Sequence, residues 1–175
     1  MKKLLCAALL LFTGASWANS DDIETSGDVV HLLLPATALG ATLFYEEGNE
    51  GSWQLLKAAV SSRVIVEGLK LGVNKDRPDG SSDDSFPSGH TSDSFMAATF
   101  IQQRYGWQYG LPAYLAATYV GYTRVESDKH YLEDVLAGAV IGALAGWYFT
   151  EPYKGITVTP LAHNGVYGLY ISGQF

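Results

Sequence analysis

The sequence predicts an all-α fold, a helical bundle that ends in one small C-terminal β-hairpin. Two observations carry this. Apolar stretches of helical length follow one another from Val29 to Phe149, separated by short polar segments. After Pro152 the pattern changes to residue-by-residue alternation, with Asn164-Gly165 between the two alternating runs, and Asn-Gly favours a two-residue hairpin turn.

Taken in order, the chain opens with Lys2 and Lys3, an apolar run from Leu4 to Phe12, and the small-residue exit Ala15-Ser16-Trp17-Ala18. That pattern reads as a secretory signal peptide over residues 1–18, too short in its apolar part to span a bilayer. Residues 19–175 are then expected as one mature domain of about 157 residues. Cys6 leaves with the signal, so the mature domain needs a large core in place of disulfides.

The next stretches read as helices: Val29 to Tyr45, Gln54 to Leu71, Ser92 to Tyr105, Pro112 to Tyr122 and Leu132 to Phe149. Pro112 suits a first helical turn. The last stretch carries Gly138, Gly142 and Gly146 at every fourth position, a groove that admits a close neighbour either inside a core or between membrane helices. Uninterrupted apolar runs of about 12 to 18 residues fall short of the roughly 20 that cross a bilayer. Pro35 and Gln102-Gln103-Arg104 interrupt two of them, and the mean hydropathy is only +0.06. A soluble bundle is therefore expected, with the aromatic cluster Tyr105, Trp107, Tyr109 and Tyr114 as an edge that could touch a membrane. In the hairpin, Tyr167, Leu169, Ile171 and Phe175 share one face, expected to pack on the bundle.

The net charge is −7, and about −9 once Lys2 and Lys3 are removed. An acidic chain argues against a nucleic-acid partner, because phosphate backbones attract clustered Lys and Arg. Three short segments each join cations or histidines to helix-end signals. Lys70 precedes Arg77-Pro78 by six intervening residues; Pro87-Ser88-Gly89-His90 opens a helix; Thr123-Arg124 leads, through five residues, to His130 and then Asp134. Singly, each has an ordinary explanation. Lys70 and Arg77 suit a solvated loop, Ser85 or Ser88 suits a helix cap beside Pro87, and His130 and Asp134 suit a pair on one helix face.

Together they describe a site for a phosphate. Two negative charges call for converging donors, which Arg, Lys and a helix N-terminus supply. Two histidines, one with a carboxylate four residues on, supply a nucleophile with an orienting partner and a general acid. In order and spacing these segments resemble the signature of the PAP2 phosphatase superfamily, with Thr123 where the family usually has Ser. The resemblance spans residues 70–134. It implies a helical bundle of the PAP2 acid-phosphatase type, with Lys70, Arg77, Ser88, Gly89 and Arg124 holding phosphate. It further implies that His130 forms a phosphohistidine, Asp134 orients it, and His90 protonates the leaving group. No metal or other cofactor is implied.

The expected partner is a phosphate ester, soluble or lipid, hydrolysed in the periplasm. An integral-membrane lipid or prenyl-diphosphate phosphatase is the alternative. So is a non-enzymatic envelope protein that binds phosphate or lipid headgroups. A metal hydrolase lacks a third ligand near His130 and Asp134, and a vanadium haloperoxidase would be a longer chain. His31 and His163 match no motif; the first is expected within a helix, the second in the hairpin turn.

Overall fold

The computed structural model describes residues 20–153, 156–163 and 166–173. The expected signal peptide, the turn residues Asn164 and Gly165, and Phe175 lie outside the described residues. Among those described, five helices precede two strands: α1 Ser20–Phe44, α2 Glu50–Val73, α3 Gly89–Tyr105, α4 Trp107–Glu126, α5 Leu132–Phe149, β1 Ile156–His163 and β2 Val166–Gly173.

Four of the helices extend beyond the apolar runs that announced them, and α5 coincides with its run, Leu132–Phe149. α1 begins nine residues before Val29, with Asp21 and Asp22 in a first turn whose exposed N–H groups favour negative charge. It continues through Pro35, and α4 begins five residues before Pro112, so both prolines lie inside helices, not at a break or a first turn. A proline removes only one backbone hydrogen bond, and the long flanking segments hold the helix on both sides. Arg104, expected to interrupt a run, is part of α3 and is buried.

α3 lies at the centre and touches each of the other helices. Its Met96, Ala97, Ala98 and Phe100 meet Ala38 of α1, Ala58 of α2 and Ala117 of α4 in one core. The glycine stripe of α5 is spent on the same helix. A Cβ at Gly138 would collide with the Ser88 carbonyl, one at Gly142 with that of Ser92, and one at Gly146 with that of Met96. The stripe therefore brings α5 backbone-close to the start of α3, where the site residues are.

The opposite face of α5 runs the other way. Leu132, Leu136, Val140 and Leu144, spaced four apart, are 57–59% exposed. α1 likewise turns Leu32, Leu33 and Leu43 outward. A helix in a water-soluble bundle hides its large apolar residues and exposes polar ones; these two helices hide glycine, alanine and threonine, with only Leu34 and Val135 among their leucines and valines buried, and expose most of the others. Spans Asp21–Phe44 and Leu132–Phe149 are long and apolar enough to cross a membrane.

The hairpin forms with Ile156 opposite Gly173 and His163 opposite Val166. His163 is thus the last residue of β1 and not a turn residue. β1 neighbours α4, but Tyr167 and Leu169 remain exposed, so those two do not pack on the bundle as expected.

Candidate active site

The antiparallel order of the helices brings the start of α1, the end of α2, the start of α3, the end of α4 and the start of α5 to one end of the bundle. The loop between α2 and α3 folds over this end. Ser85 N–H donates to the Lys75 carbonyl at 2.9 Å, and Asp79 N–H to the Asp128 carbonyl at 3.0 Å. Lys129 ties the same loop from the other side, 3.0 Å from Asp79.

All eight residues expected from the sequence lie here. His130 precedes α5 instead of sharing a helix face with Asp134: Tyr131 is the N-cap, and Asp134 is at the third helical position. The His130 amide donates to the Arg124 carbonyl at 3.1 Å, which fixes His130 one turn beyond the end of α4. Its ring is 3% exposed, and Asp134 is fully buried. Burial, then the charges of Arg77 and Lys70, push the His130 imidazole down to about 4, so it is neutral at pH 7 with a free ring lone pair.

The expected direct bond from Asp134 to His130 is not formed. His130 Nδ1 is 3.8 Å from Asp134 Oδ2, beyond hydrogen-bond reach. Ser85 stands between them. Its hydroxyl donates to Asp134 Oδ2 at 2.5 Å and lies 3.5 Å from His130 Nδ1, while its backbone accepts a hydrogen bond from the ring. Lys75 donates to Asp134 Oδ1 and to Glu133 Oε1, both at 2.7 Å.

Ser88 caps α3, its hydroxyl accepting from Thr91 N–H at 3.4 Å, and its own N–H donates to the Asp134 carbonyl at 3.0 Å. Pro87 therefore lies before the cap, and Ser85 caps nothing. The hydroxyl of Ser88 is committed to its own helix. The donors this terminus offers an anion are the first-turn amides of Gly89 and His90, which have no intrahelical acceptor.

The cations are held by two carboxylates that sequence reasoning missed. Asp84 receives Lys70 at 3.0 Å through Oδ2 and Arg77 at 3.0 Å through Oδ1. The Ser82 hydroxyl, then Lys70 and Arg77, hold its carboxyl well below the usual carboxylate range. Asp28, on α1, receives Arg124 Nη1 at 2.8 Å through Oδ1, which is also 3.3 Å from His90 Nε2. Both carboxylates are about half exposed, at 42% and 45%, while Arg124 itself is 3% exposed. His31 is within a helix as expected, yet it also lies against this site, its ring 4.3 Å from that of His90. Burial, then the charges of His31 and Arg124, push the His90 imidazole down to about 4. Asp84 falls inside the polar loop and could have been suspected from it. Asp28 and His31 lie some forty residues before the first motif, where no spacing signals them.

Among the described residues no group of three or more His, Cys, Asp or Glu side chains is arranged to hold a metal ion. What remains is a bundle end with three cations, helix-start amides and two neutral imidazoles on converging elements. That set can bind a tetrahedral oxyanion and exchange a group with it.

Comparison with known proteins agrees with this chemistry. A family model described as "PAP2 superfamily" matches residues 51–155. A lipid A 1-phosphatase of Porphyromonas gingivalis is 33% identical over 147 residues, covering 78% of this chain and 32% of that protein. A lipid A 4′-phosphatase of Helicobacter pylori is 35% identical over 99 residues, covering 57% of this chain and 49% of that one. The chain thus spans from a third to a half of these relatives. The crystal structure of Aquifex aeolicus LpxE superposes with a TM-score of 0.60 at 26% identity, covering 73% of this chain and 84% of that one. A transmembrane PAP2-type phosphatidylglycerolphosphate phosphatase from Bacillus subtilis gives 0.58 at 26% identity, covering 74% and 72%.

Proposed function

Since this chain belongs to the PAP2 superfamily, we propose that it is a membrane-embedded phosphatase that hydrolyses phosphate monoesters of lipids through a phosphohistidine. The observation that carries the chemistry is the buried, neutral His130 ring within reach of the charges of Lys70 and Arg77. A neutral imidazole has a nucleophilic lone pair, and a partner on its second nitrogen fixes the tautomer and aims that lone pair; the Ser85–Asp134 contacts supply the hold.

In this mechanism Lys70, Arg77, Arg124 and the Gly89 amide bind the phosphate oxygens, displacing Asp84 and Asp28 from the cations. Ser88 contributes by capping the helix that presents those amides. The free nitrogen of His130 attacks phosphorus, the bond from phosphorus to the ester oxygen breaks, and His90 gives that oxygen a proton. Water then attacks the phosphohistidine, His90 takes a proton from it, and inorganic phosphate leaves with His130 restored. A bound phosphate dianion beside His90 favours its protonated form, which offsets the burial that keeps it neutral in the free protein.

The lipid substrate rests on a second observation, the outward leucine and valine faces of α1 and α5. α5, at 18 residues, is about 27 Å long, close to the roughly 30 Å hydrocarbon thickness. Embedding takes up the integral-membrane alternative in place of the soluble form expected from the sequence; the unbroken apolar letters underestimated the length of α1, and in α5 the direction of the leucine face decides. The lipid A phosphatases among the relatives make a lipid A-type 1- or 4′-phosphate the first substrate to try. Export by residues 1–18, with action on the periplasmic side, is part of the same proposal.

The test is turnover by detergent-purified protein of a lipid A phosphate, a phosphatidate and p-nitrophenyl phosphate, each with EDTA. Phosphate release from a lipid substrate that EDTA leaves unchanged is the expected result. Binding of lipid phosphates without release would leave a headgroup-binding protein, and loss of activity with EDTA would call for a metal mechanism.

A further inference from the structure

We propose that Ser85 is a positioning residue of the reaction: Asp134 acts on the nucleophile His130 through the Ser85 hydroxyl, with Lys75 fixing the far carboxylate oxygen. This rests on the phosphohistidine reading above and adds residues that the sequence signature does not assign.

The oxygens of Asp134 are already engaged. Oδ1 accepts from Lys75 at 2.7 Å, and Oδ2 accepts from the Ser85 hydroxyl at 2.5 Å and from the Tyr131 amide at 3.0 Å. The ammonium of Lys75 is further held by Glu133 and lies 4.3 Å above the Tyr131 ring. A carboxylate clamped at both oxygens is held 3.8 Å from His130 Nδ1, and closing that gap would strain its bonds to Lys75 and Tyr131. Ser85 needs no swing, since its Oγ is already 3.5 Å from that nitrogen.

A hydroxyl has one proton and two lone pairs, so it can donate to Asp134 and accept from an imidazole N–H at once. Ser85 and Asp134 are fully buried, so both contacts act in a site of low dielectric. When His130 bonds to phosphorus, the ring gains positive charge and its Nδ1–H becomes a stronger donor. The ring N–H is shared between the Ser85 backbone, which already accepts from it, and Ser85 Oγ. The Nδ1–H to Oγ contact then shortens beside the backbone bond, and the chain through the hydroxyl to the carboxylate carries the stabilising charge of Asp134 to the ring. No proton is transferred along it. Contacts of this kind are often long in the free enzyme and tighten in the transition state.

The Ser85 amide already donates to the Lys75 carbonyl at 2.9 Å, so one loop sets both members of the clamp. Lys75→Met would leave a buried carboxylate without its counter-ion, and is expected to slow phosphorylation as well as destabilise the fold.

The direct test is single-turnover formation of the phosphoenzyme by wild type, Ser85→Ala, Ser85→Thr and Ser85→Cys, with KM and vanadate affinity measured beside it. Expected for Ser85→Ala is a rate of phosphorylation reduced on the order of 10- to 100-fold, with KM and vanadate affinity changed by less than about threefold. Ser85→Thr should recover most of the rate and Ser85→Cys, a weaker donor of similar size, a smaller part. Wild-type phosphorylation by Ser85→Ala overturns the proposal. So does equal loss of vanadate binding and rate that threonine does not rescue, which marks Ser85 as scaffold only. If Ser85→Ala does not fold, Ser85→Cys decides, a wild-type rate there overturning the hydroxyl chain. A wild-type protein that turns over without any phosphohistidine overturns the reaction itself, a result distinct from failure of Ser85 alone.

Discussion

Two arginines, Arg104 and Arg124, lie at opposite ends of the bundle, and each is 3% exposed. Arg104 is closed off. Its Nε and Nη2 donate to the two oxygens of Glu46 at 2.6 Å each, and its Nη1 donates to Gln54 at 3.0 Å and to the Glu151 carbonyl at 2.8 Å. Glu46 is itself 1% exposed and also accepts from Tyr105. Arg124 is open on one side. Its Nη2 is fixed by the Glu24 carbonyl at 2.7 Å, but its Nη1 meets Asp28, which is 45% exposed. Burial of an arginine therefore does not mark a functional site. The difference lies in the partner carboxylate: one is sealed with its arginine and holds α1, α2 and α3 together, the other can be exchanged for a phosphate.

The largest expected effect breaks the closed pair. Arg104→Ala leaves Glu46 buried and unpaired, which costs roughly 3–5 kcal/mol. Thermal unfolding in detergent should show a large loss of stability, while the turnover of the molecules that remain folded stays near wild type. A variant of normal stability and low kcat would place Arg104 in the chemistry.

The open pair should behave in the opposite way. Arg124→Ala removes a charge-assisted donor from the transition state, a loss on the order of a hundredfold in kcat/KM, with a smaller change in stability than Arg104→Ala. Near-normal turnover would remove Arg124 from phosphate binding.

The pH dependence sharpens the same end. His130 must be neutral to attack, and in the free protein it gains its proton only as the pH falls through about 4. Below that, kcat/KM should fall about tenfold per pH unit. His90 must be protonated to serve as acid, and with its free-protein value also at about 4, kcat/KM should be best on the acid side of neutrality. Arg77→Gln removes a cation that depresses His130, so the acid limb should move up toward the ordinary histidine value of about 6.5. An acid limb already near that value in the wild type would contradict the buried placement of His130.

The smallest effect concerns the exchangeable carboxylate. Asp28→Asn removes a negative charge that competes for Arg124, and inorganic phosphate should then inhibit about fivefold more tightly, near 1 kcal/mol. Weaker inhibition would mean that Asp28 serves the anion and does not compete with it.

The contrast between the two ends also explains what could be read from residue order. The site end depends on residues at fixed short spacings, Lys70 to Pro78, Pro87 to His90 and Arg124 to Asp134, so the helical bundle and the gathered motifs were legible. The closed end joins Glu46, Arg104 and Glu151 across long separations, and there Arg104 read as a break in an apolar run. Asp28 and His31 reach the site only because α1 packs beside α3 and α4, which no local pattern announces. Ser85 was visible as a helix-cap candidate, but its place between Asp134 and His130 follows from the path of a loop. The glycines of α5 were legible as a period of four. Their direction was not, because the glycine stripe fixes which face turns inward only once α3 is in place.

One measurement tests the central claim most directly. Detergent-purified protein is mixed with a substrate carrying labelled phosphate, quenched in alkali within one turnover, and the labelled peptide is mapped. Approaching one phosphate per protein, bonded to a nitrogen of His130 and absent from His130→Ala, is the result predicted here. Turnover with no protein-bound phosphate, or label that persists in His130→Ala, would contradict it.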